Sequence, residues 1–225
     1  MWSSSCLSTP KFNIYMQQSR YALLTVFVVI GLSLIFSDGY SQRRVKLKQA
    51  DQARGGRKGD EKYQRLLGNV IFTQNETTIY CDSAHFYRDR NSVEALGRVH
   101  IVDGESIDIT GSRLEYDGNT KKAKLRRNVV FTKLATATLY TDNLDFSRPN
   151  NLAYYFDGGK LVDSINVLTS RKGYYNLNSN LASFKRNVKV VNPDYTMLAD
   201  SLQYNSRTKI IYFVTETTVI NKDSS

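Results

Sequence analysis

A pattern that recurs about every thirty residues constrains the fold of this chain more than any other feature of its sequence. In each unit a polar residue is followed, four positions later, by an aromatic residue. The pairs are Asp82/Phe86, Ser112/Tyr116, Asp142/Phe146, Ser170/Tyr174 and Asp200/Tyr204, at spacings of 30, 30, 28 and 30 residues. A fixed period of this length is typical of stacked supersecondary units, each of which buries its apolar face only against its neighbours.

A second series of short aliphatic segments keeps the same period. The segments are GNVIF at 68–72, GRVHI at 97–101, RNVVF at 127–131, GGKLV at 158–162 and RNVKV at 186–190, and a sixth begins near Thr218. Two interleaved series with one period are hard to obtain by chance. The sequence therefore predicts an array of about five repeats.

Within the repeats, apolar and polar residues alternate with the period of a β-strand. Val188 and Val190 flank Lys189, and no stretch after residue 66 keeps helical apolar spacing over ten residues. Turn-forming pairs such as Asp103-Gly104 separate the alternating segments. We predict an all-β domain over residues 64–220, followed by a tail at 221–225. Its architecture is an elongated β-jelly-roll or two-sheet solenoid of antiparallel repeats, with about three short strands in each.

The alternation also predicts which side chains point inward. This set comprises Val70, Phe72, Ile79, Phe86, Val99, Ile101, Ile107, Ile109, Leu114, Tyr116, Val129, Phe131, Leu139, Leu144, Phe146, Leu161, Leu168, Val188, Val190, Leu198, Leu202 and Tyr204. Periodicity alone leaves two interpretations open. The set forms either an ordinary closed core or the lining of an apolar trough.

The N-terminal segment, residues 1–41, has the order of an export signal. Arg20 precedes an uncharged apolar run over 21–36, and the small residues Gly39 and Ser41 follow it. The run is predicted to be helical. Its sixteen residues are few for a spanning helix, which needs about 20. A cleaved signal peptide is therefore favoured over a retained membrane anchor, and Met16 is an alternative start to Met1.

The positive charge of the chain is concentrated just after this segment. Residues 42–65 contain nine basic and three acidic residues, whereas residues 66–225 contain 20 basic and 17 acidic ones. A nucleic-acid-binding domain carries its basic excess on the folded part, so nucleic acid is an unfavoured partner. We predict a basic flexible linker over 42–63, a solvated tether whose alternative role is contact with an anionic lipid surface.

Sequence motifs for catalysis or cofactor binding are absent. The chain has no GxxxxGK[ST], GxGxxG, GxSxG or HExxH motif. In the densest polar cluster, strand alternation would place Cys81, Ser83 and His85 on one face and Asp82 on the other. Aspartate recurs at positions 142 and 200 without a histidine, which indicates a hydrogen-bonding group at a turn or edge. We predict no enzyme activity, no cofactor and no metal site.

The repeats resemble the OstA-like family of periplasmic lipopolysaccharide-export proteins, to which LptA-like proteins belong. The resemblance is carried by LLGNVIFTQNETTIYCDSAHFY, EALGRVHIVDGESIDITGSRLEYDGNTKKAKLRRNVVF and FKRNVKVVNPDYTMLADSLQYN, and it covers about residues 64–220. The amino-acid sequence of these segments is most similar to the N-terminal domain of OstA-like proteins of the Bacteroidetes type. Each motif is short, so the specificity comes from their repetition.

The resemblance implies a β-jelly-roll whose groove shelters the acyl chains of lipid A during lipopolysaccharide transport to the outer membrane. The lipid-binding residues would be the inward set without Ile107, Leu144, Leu161, Leu168 and Leu202. The expected partners are lipopolysaccharide and other jelly-roll export components, which pair through edge strands, with a head-to-tail homo-oligomer as one form. The expected location is the periplasm, near or anchored to a membrane. The alternative is a structural or protein-interaction module of envelope assembly, with a closed core and no lipid.

Overall fold

The computed structural model of the chain describes residues 44–133 and 137–222. The predicted signal segment 1–41, with its apolar helix, lies outside the described residues. Within the described ranges the regular structure is entirely β, which confirms the predicted fold class. These ranges contain no helix with the length and hydropathy that a membrane crossing requires.

Sixteen strands are present in the described ranges, and they form one hydrogen-bonded antiparallel sheet. They are β1 Lys46–Gln49, β2 Gln52–Lys58, β3 Glu61–Gln74, β4 Thr77–Tyr87, β5 Ser92–Asp103, β6 Ile107–Asp117, β7 Lys122–Lys133, β8 Ala137–Ser147, β9 Leu152–Tyr155, β10 Gly159–Val162, β11 Val167–Ser170, β12 Lys172–Asn176, β13 Leu181–Val191, β14 Tyr195–Asn205, β15 Ile211–Phe213 and β16 Thr217–Asn221.

Each long strand is bent near its middle, so the sheet folds into two facing layers. Strand β4, for example, pairs with β5 over Thr77–Tyr80 and again over Ser83–Tyr87, with a shift of register between the two stretches. Layer A consists of β1, β10, β11, β16, the C-terminal halves of β3, β5, β7 and β13, and the N-terminal halves of β4, β6, β8 and β14. Layer B consists of the other halves together with β2, β9, β12 and β15.

The bends explain both repeating series. In β3, β5, β7 and β13 the bend is a pair of residues with positive φ, such as Gly97 (73°) and Arg98 (34°). These pairs open the aliphatic segments. The polar residue of the other series lies at the bend of the neighbouring strand, where Asp82 Oδ1 accepts from Arg98 Nε at 2.8 Å and Asp142 Oδ1 accepts from the Asn128 backbone N–H at 2.9 Å. Asp82 and Asp142 are therefore hydrogen-bonding groups, as the repetition indicated, and they lie at bends within long strands.

The repeat is built from two long bent strands rather than three short ones. A register shift at the bend does not end the strand, because hydrogen bonding resumes on both sides of it. In the fourth unit the bends do break the strands, at residues 156–158 and 171, so that β9 and β10 correspond to one long strand and β11 and β12 to another. This is the unit in which the sequence spacing shortens to 28 residues.

The prediction of a flexible linker over 42–63 is wrong for most of its length. Residues 46–49 and 52–58 are strands β1 and β2, and both pair with β3, which already begins at Glu61. The apolar side chain of Val45 is buried, and Leu47 packs against the core. Pairing with β3 satisfies the backbone groups on one side of this Gly- and Arg-rich segment, a contribution that composition does not reveal. At the other end, strand β16 extends through Asn221, the first residue of the predicted tail.

Replacing Gly97 by alanine tests the bends. Its φ is +73°, and an added Cβ would lie 2.5 Å from Asp82 Oδ2. We expect a loss of about 2 kcal/mol in the free energy of unfolding, since a left-handed conformation and a steric clash combine. Urea denaturation measures it. Gly55→Ala is the matched control, because no atom lies within 4 Å of its added Cβ. Equal effects of the two substitutions would contradict the bend geometry.

Candidate functional site

The space between the two layers is the candidate site, and its walls meet through large side chains. Phe72 in layer A contacts Phe86 in layer B edge-on, with ring centroids 5.2 Å apart. Phe131 in layer A lies between Phe146 and Tyr175 of layer B, at 6.1 and 6.2 Å. The structure therefore brings the predicted inward residues of both layers, except Leu198, into one apolar cluster that extends from Val45 to Tyr204.

This interior is closed to solvent. Every member of the predicted inward set except one is 6 % exposed or less, and Phe72, Ile109, Leu144 and Val190 are fully buried. Side chains from the two layers contact each other directly, so the described residues form a packed core. The periodicity left open a closed core or an open apolar trough, and the structure has the closed core.

Leu198 is the exception, because it points outward and is 42 % exposed. The bend between Ala199 and Ser201 changes which residues of β14 face inward. Met197 is buried before the bend, while Leu202 and Tyr204 are buried after it. The inward prediction for Leu198 extended the alternation of Leu202 and Tyr204 backwards through this bend, and it is wrong for that reason.

The same change of alternation occurs in β4. Cys81 is buried before the bend, and Ala84 and Phe86 are buried after it. Ser83 and His85 are therefore not on the face of Cys81, contrary to the prediction, and the His85 ring packs against Tyr63 at 4.6 Å. In the described part of the chain, no group of three His, Cys, Asp or Glu side chains is arranged to hold a metal ion.

The side of the domain opposite the bends is closed by polar side chains that sequence analysis did not identify. We call this line of contacts the polar seam. It joins Gln74, Asp103, Lys133 and Asp163 of layer A to residues at the strand ends of layer B. At its first contact Gln74 donates to the carbonyl of Gly118 at 2.7 Å and accepts from the Tyr116 hydroxyl at 2.6 Å. The partners of these contacts are about forty residues apart in sequence.

The second contact of the seam is an ion pair with a buried carboxylate. Asp103 is 2 % exposed, and its Oδ2 lies 2.7 Å from Arg148 Nε. Its Oδ1 accepts from the Thr77 hydroxyl at 2.7 Å, and the guanidinium of Arg148 also reaches Glu76 at 3.6 Å. A buried charge is tolerated only when it is paired, so Arg148 holds this end of layer B against layer A.

The remaining seam contacts centre on Lys133 and Asp163. Lys133 donates to the Leu177 carbonyl and to Asn180 Oδ1, and burial lowers the pKa of its ammonium. Burial by itself would raise the pKa of the Asp163 carboxyl. Hydrogen bonds from Tyr204, from two backbone N–H groups and from Lys209 outweigh that effect, and the net pKa is lowered. The ends of β3, β5, β7 and β10 in layer A are thus each tied to layer B by a charged or strongly polar group.

Raising the pH tests the burial of the interior. Burial and the nearby charge of Asp82 raise the pKa of the Cys81 thiol from 9.0 to about 12, and burial raises the pKa of Tyr155 from 10.0 to about 12. Between pH 9 and 12 the unfolded chain loses these protons and the folded chain keeps them. The free energy of unfolding, at its full value below pH 9, should therefore fall as the pH rises through this window.

Urea denaturation at pH 8, 9, 10 and 11 measures this slope. Cys81→Ala should reduce it, since the contribution of the thiol is then missing. An unfolding free energy that stays constant from pH 8 to 11 would contradict the protected interior.

Comparison with known proteins identifies one matching family model and a similar solved structure. A family model described as OstA-like protein matches residues 42–200. Among solved structures, the chain is similar to the crystal structure of LptH, the LptA homologous periplasmic component of the conserved lipopolysaccharide transport device from Pseudomonas aeruginosa. The identity is 12 % and the TM-score 0.46, over 52 % of this chain and 95 % of that chain. None of the curated proteins matches the chain significantly.

Proposed function

The chain belongs to the OstA-like protein family, and from this premise we propose that its two-layer domain is a non-enzymatic carrier or bridge for lipopolysaccharide in the periplasm. The acyl chains of lipid A lie between the layers, and the sugar part remains in water. The observation that carries the proposal is the continuous apolar interior, which is bounded on one side by bent strands and on the other by the polar seam.

The interior has the chemistry that acyl chains require. Each methylene group that leaves water contributes about 0.8 kcal/mol of favourable free energy. A carrier must therefore surround the acyl chains with apolar side chains, so that these methylene groups stay out of water. Aliphatic and aromatic side chains provide this without directional hydrogen bonds. The proposed lipid-contacting residues are those that the resemblance assigned, without Leu198, whose side chain is exposed.

Acyl chains enter this interior only if the layers separate, because the interior residues are packed against each other. The bends are continuous backbone, whereas the seam consists of side-chain contacts. A hydrogen bond typically contributes about 1 kcal/mol net, so a few methylene groups offset each seam contact that opens. We infer that the layers separate along the seam.

The end of the sheet formed by β15 and β16 is the proposed contact with other components of the export machinery. Strands β1 and β2 pair with β3 alone, and β15 and β16 pair with β14 alone, which leaves backbone groups free at both ends. Phe213 and Ile220 at the second end are 58 % and 51 % exposed. An edge of this kind accepts a further strand, so the apolar β15/β16 end is the one proposed to pair with a related jelly-roll component.

Photo-crosslinking tests the carrier function. An aromatic photo-crosslinking residue at position 72 or 131 should label bound lipopolysaccharide, as should one at Ile101 or Val190. The same group at Lys122 or Lys189, on the outer surface, should not. Far-ultraviolet circular dichroism confirms that each variant is folded. Equal labelling from the inner and outer positions would overturn the proposal.

The alternative function is that of a structural module that assembles envelope complexes through its edges. The closed interior favours it, since the described residues need no ligand to bury their apolar side chains. Mass spectrometry of lipids that co-purify with the domain separates the two functions. A carrier retains acylated lipid, and a structural module yields none.

A further inference from the structure

The sheet begins with two edge strands that carry a dense positive charge. The described residues from Arg44 to Arg65 include eight basic and three acidic residues, and every basic one is exposed. We call this set the basic edge: Arg44, Lys46, Lys48, Arg54, Arg57, Lys58, Lys62 and Arg65. What the sequence presents as a flexible linker is an ordered array of charges at one end of the sheet.

The register of β2 and β3 places like charges directly opposite each other. Arg54 faces Arg65, and Arg57 faces Lys62. Opposed like charges destabilise an antiparallel pair. Because residues three positions apart on a strand lie on opposite faces, one of these pairs lies on each face of the edge. The free protein thus carries a repulsion that an anion at this end would relieve.

Two of the three acidic residues in this stretch contact groups outside the basic edge. Asp51 accepts from the side chain of Asn69 at 2.9 Å, and Glu61 pairs with Arg90 at 3.3 Å, outside the basic edge. None of the ion pairs among the described residues includes a member of the basic edge. Its guanidinium and ammonium groups are therefore directed to solvent.

We propose that the basic edge docks the domain, end-on, to an anionic lipid surface. Lipid phosphate groups lie between the opposed Arg54 and Arg65 side chains and between Arg57 and Lys62. Arginine binds phosphate through two parallel N–H groups, and basic residues near an anionic leaflet are attracted to it. The end-on orientation follows from the position of one basic pair on each face of the edge.

The charge distribution favours a lipid surface over two other partners. A second copy docked head-to-tail would present residues 209–222, which carry two lysines and one glutamate and cannot neutralise the basic edge. A nucleic acid requires a basic face along the domain, and residues 66–225 carry nearly balanced charge. A planar array of phosphates matches a strongly positive end on a body whose charge is nearly balanced.

Vesicle sedimentation tests this proposal. The protein used is residues 43–225, because every buried core residue in the described part of the chain lies between Val45 and Tyr204 and residues 43–225 are a separate compact unit. It also leaves out the apolar run 21–36, which would bind vesicles by itself. The probes are vesicles of phosphatidylcholine alone and of phosphatidylcholine with about one third phosphatidylglycerol, at low and high salt.

The test variant replaces Arg54, Arg57, Lys62 and Arg65 by glutamine. The control variant removes the same charge elsewhere, by replacing the exposed Lys122, Lys124, Lys185 and Lys189 with glutamine. We expect wild-type protein to bind the anionic vesicles only, and to bind them less at high salt. The test variant should bind at least roughly tenfold more weakly, while the control variant stays within about threefold of wild type.

A second measurement guards against a loss of folding. Arg54→Gln alone should leave the urea midpoint unchanged or raise it at low salt, since it removes the repulsion with Arg65.

Equal weakening of vesicle binding by both four-fold variants, binding to neutral vesicles, or no binding at all would overturn the proposal. A change of oligomeric mass in the test variant, without a change in vesicle binding, would assign the basic edge to a protein partner instead. None of these outcomes depends on whether the interior carries lipid.

Discussion

Replacing Phe131 by alanine is expected to lower the free energy of unfolding by about 3–5 kcal/mol. The side chain is 1 % exposed and lies between two aromatic rings of the opposite layer, Phe146 and Tyr175. The substitution removes the buried ring and leaves a cavity that two hydrogen-bonded layers cannot fill by small movements. Chemical denaturation at neutral pH measures the loss, which is a large part of the stability of an ordinary domain.

The matched control for this prediction is Tyr140→Ala. Tyr140 lies on the outer surface, 43 % exposed, and the ammonium of Lys160 lies 5.2 Å from its ring centroid. Its replacement should cost less than about 1 kcal/mol. If the two substitutions destabilise the protein equally, the layers do not face each other as described. The carrier hypothesis would then lose its apolar interior.

Replacing Arg148 by methionine is expected to cost about 2–3 kcal/mol. It leaves the carboxylate of Asp103 buried, with only the Thr77 hydroxyl as partner. Breaking a fully buried ion pair costs about 3–5 kcal/mol, and the smaller figure applies because 36 % of the Arg148 side chain is exposed to solvent. Urea denaturation of the variant measures the loss.

A double-mutant cycle distinguishes the ion pair from general packing. Asp103→Asn removes the charge that Arg148→Met leaves unpaired, so the double variant should be less destabilised than the two single losses added together. Additive losses would mean that the two side chains do not interact across the layers. In that case the polar seam would not hold the layers at this position.

The contact between Asp103 and Arg148 affects both the stability of the domain and the lipid entry that we propose. A weakened seam lowers the stability of the empty domain and eases the separation of its layers. If acyl chains enter along the seam, Arg148→Met should bind lipopolysaccharide faster than wild type even though it is less stable. The same variant of a purely structural module would only unfold more readily.

Much of the fold could be predicted from local sequence, because strand alternation is a local property. Val129 and Phe131 lie on one side of a bend in their strand, and Ala123 and Leu125 lie on the other, with all four buried. The pair of positive-φ residues at that bend preserves the alternation through it. In β14 the bend changes the alternation, and Leu198 was misplaced for that reason. The two sequence series mark the two kinds of bend, but the effect of each kind on the alternation is seen only in the structure.

The first edge strands show a second limit of prediction from sequence, which concerns composition. The segment around Gly55 has the composition of a flexible linker, yet it forms β2 because the unpaired edge of β3 offers hydrogen-bonding partners. Composition describes what a segment does alone. It does not describe what a neighbouring strand stabilises.

The amino-acid sequence alone determined the β class, the thirty-residue repeat and the inward positions in most half-strands, because these depend on residues a few positions apart. The tertiary structure alone decided that the interior is closed, that Asp103 meets Arg148, and that Arg54 faces Arg65 at an exposed edge. The partners in the polar seam are separated by about forty residues. They meet only after each strand has bent and the two layers have come together.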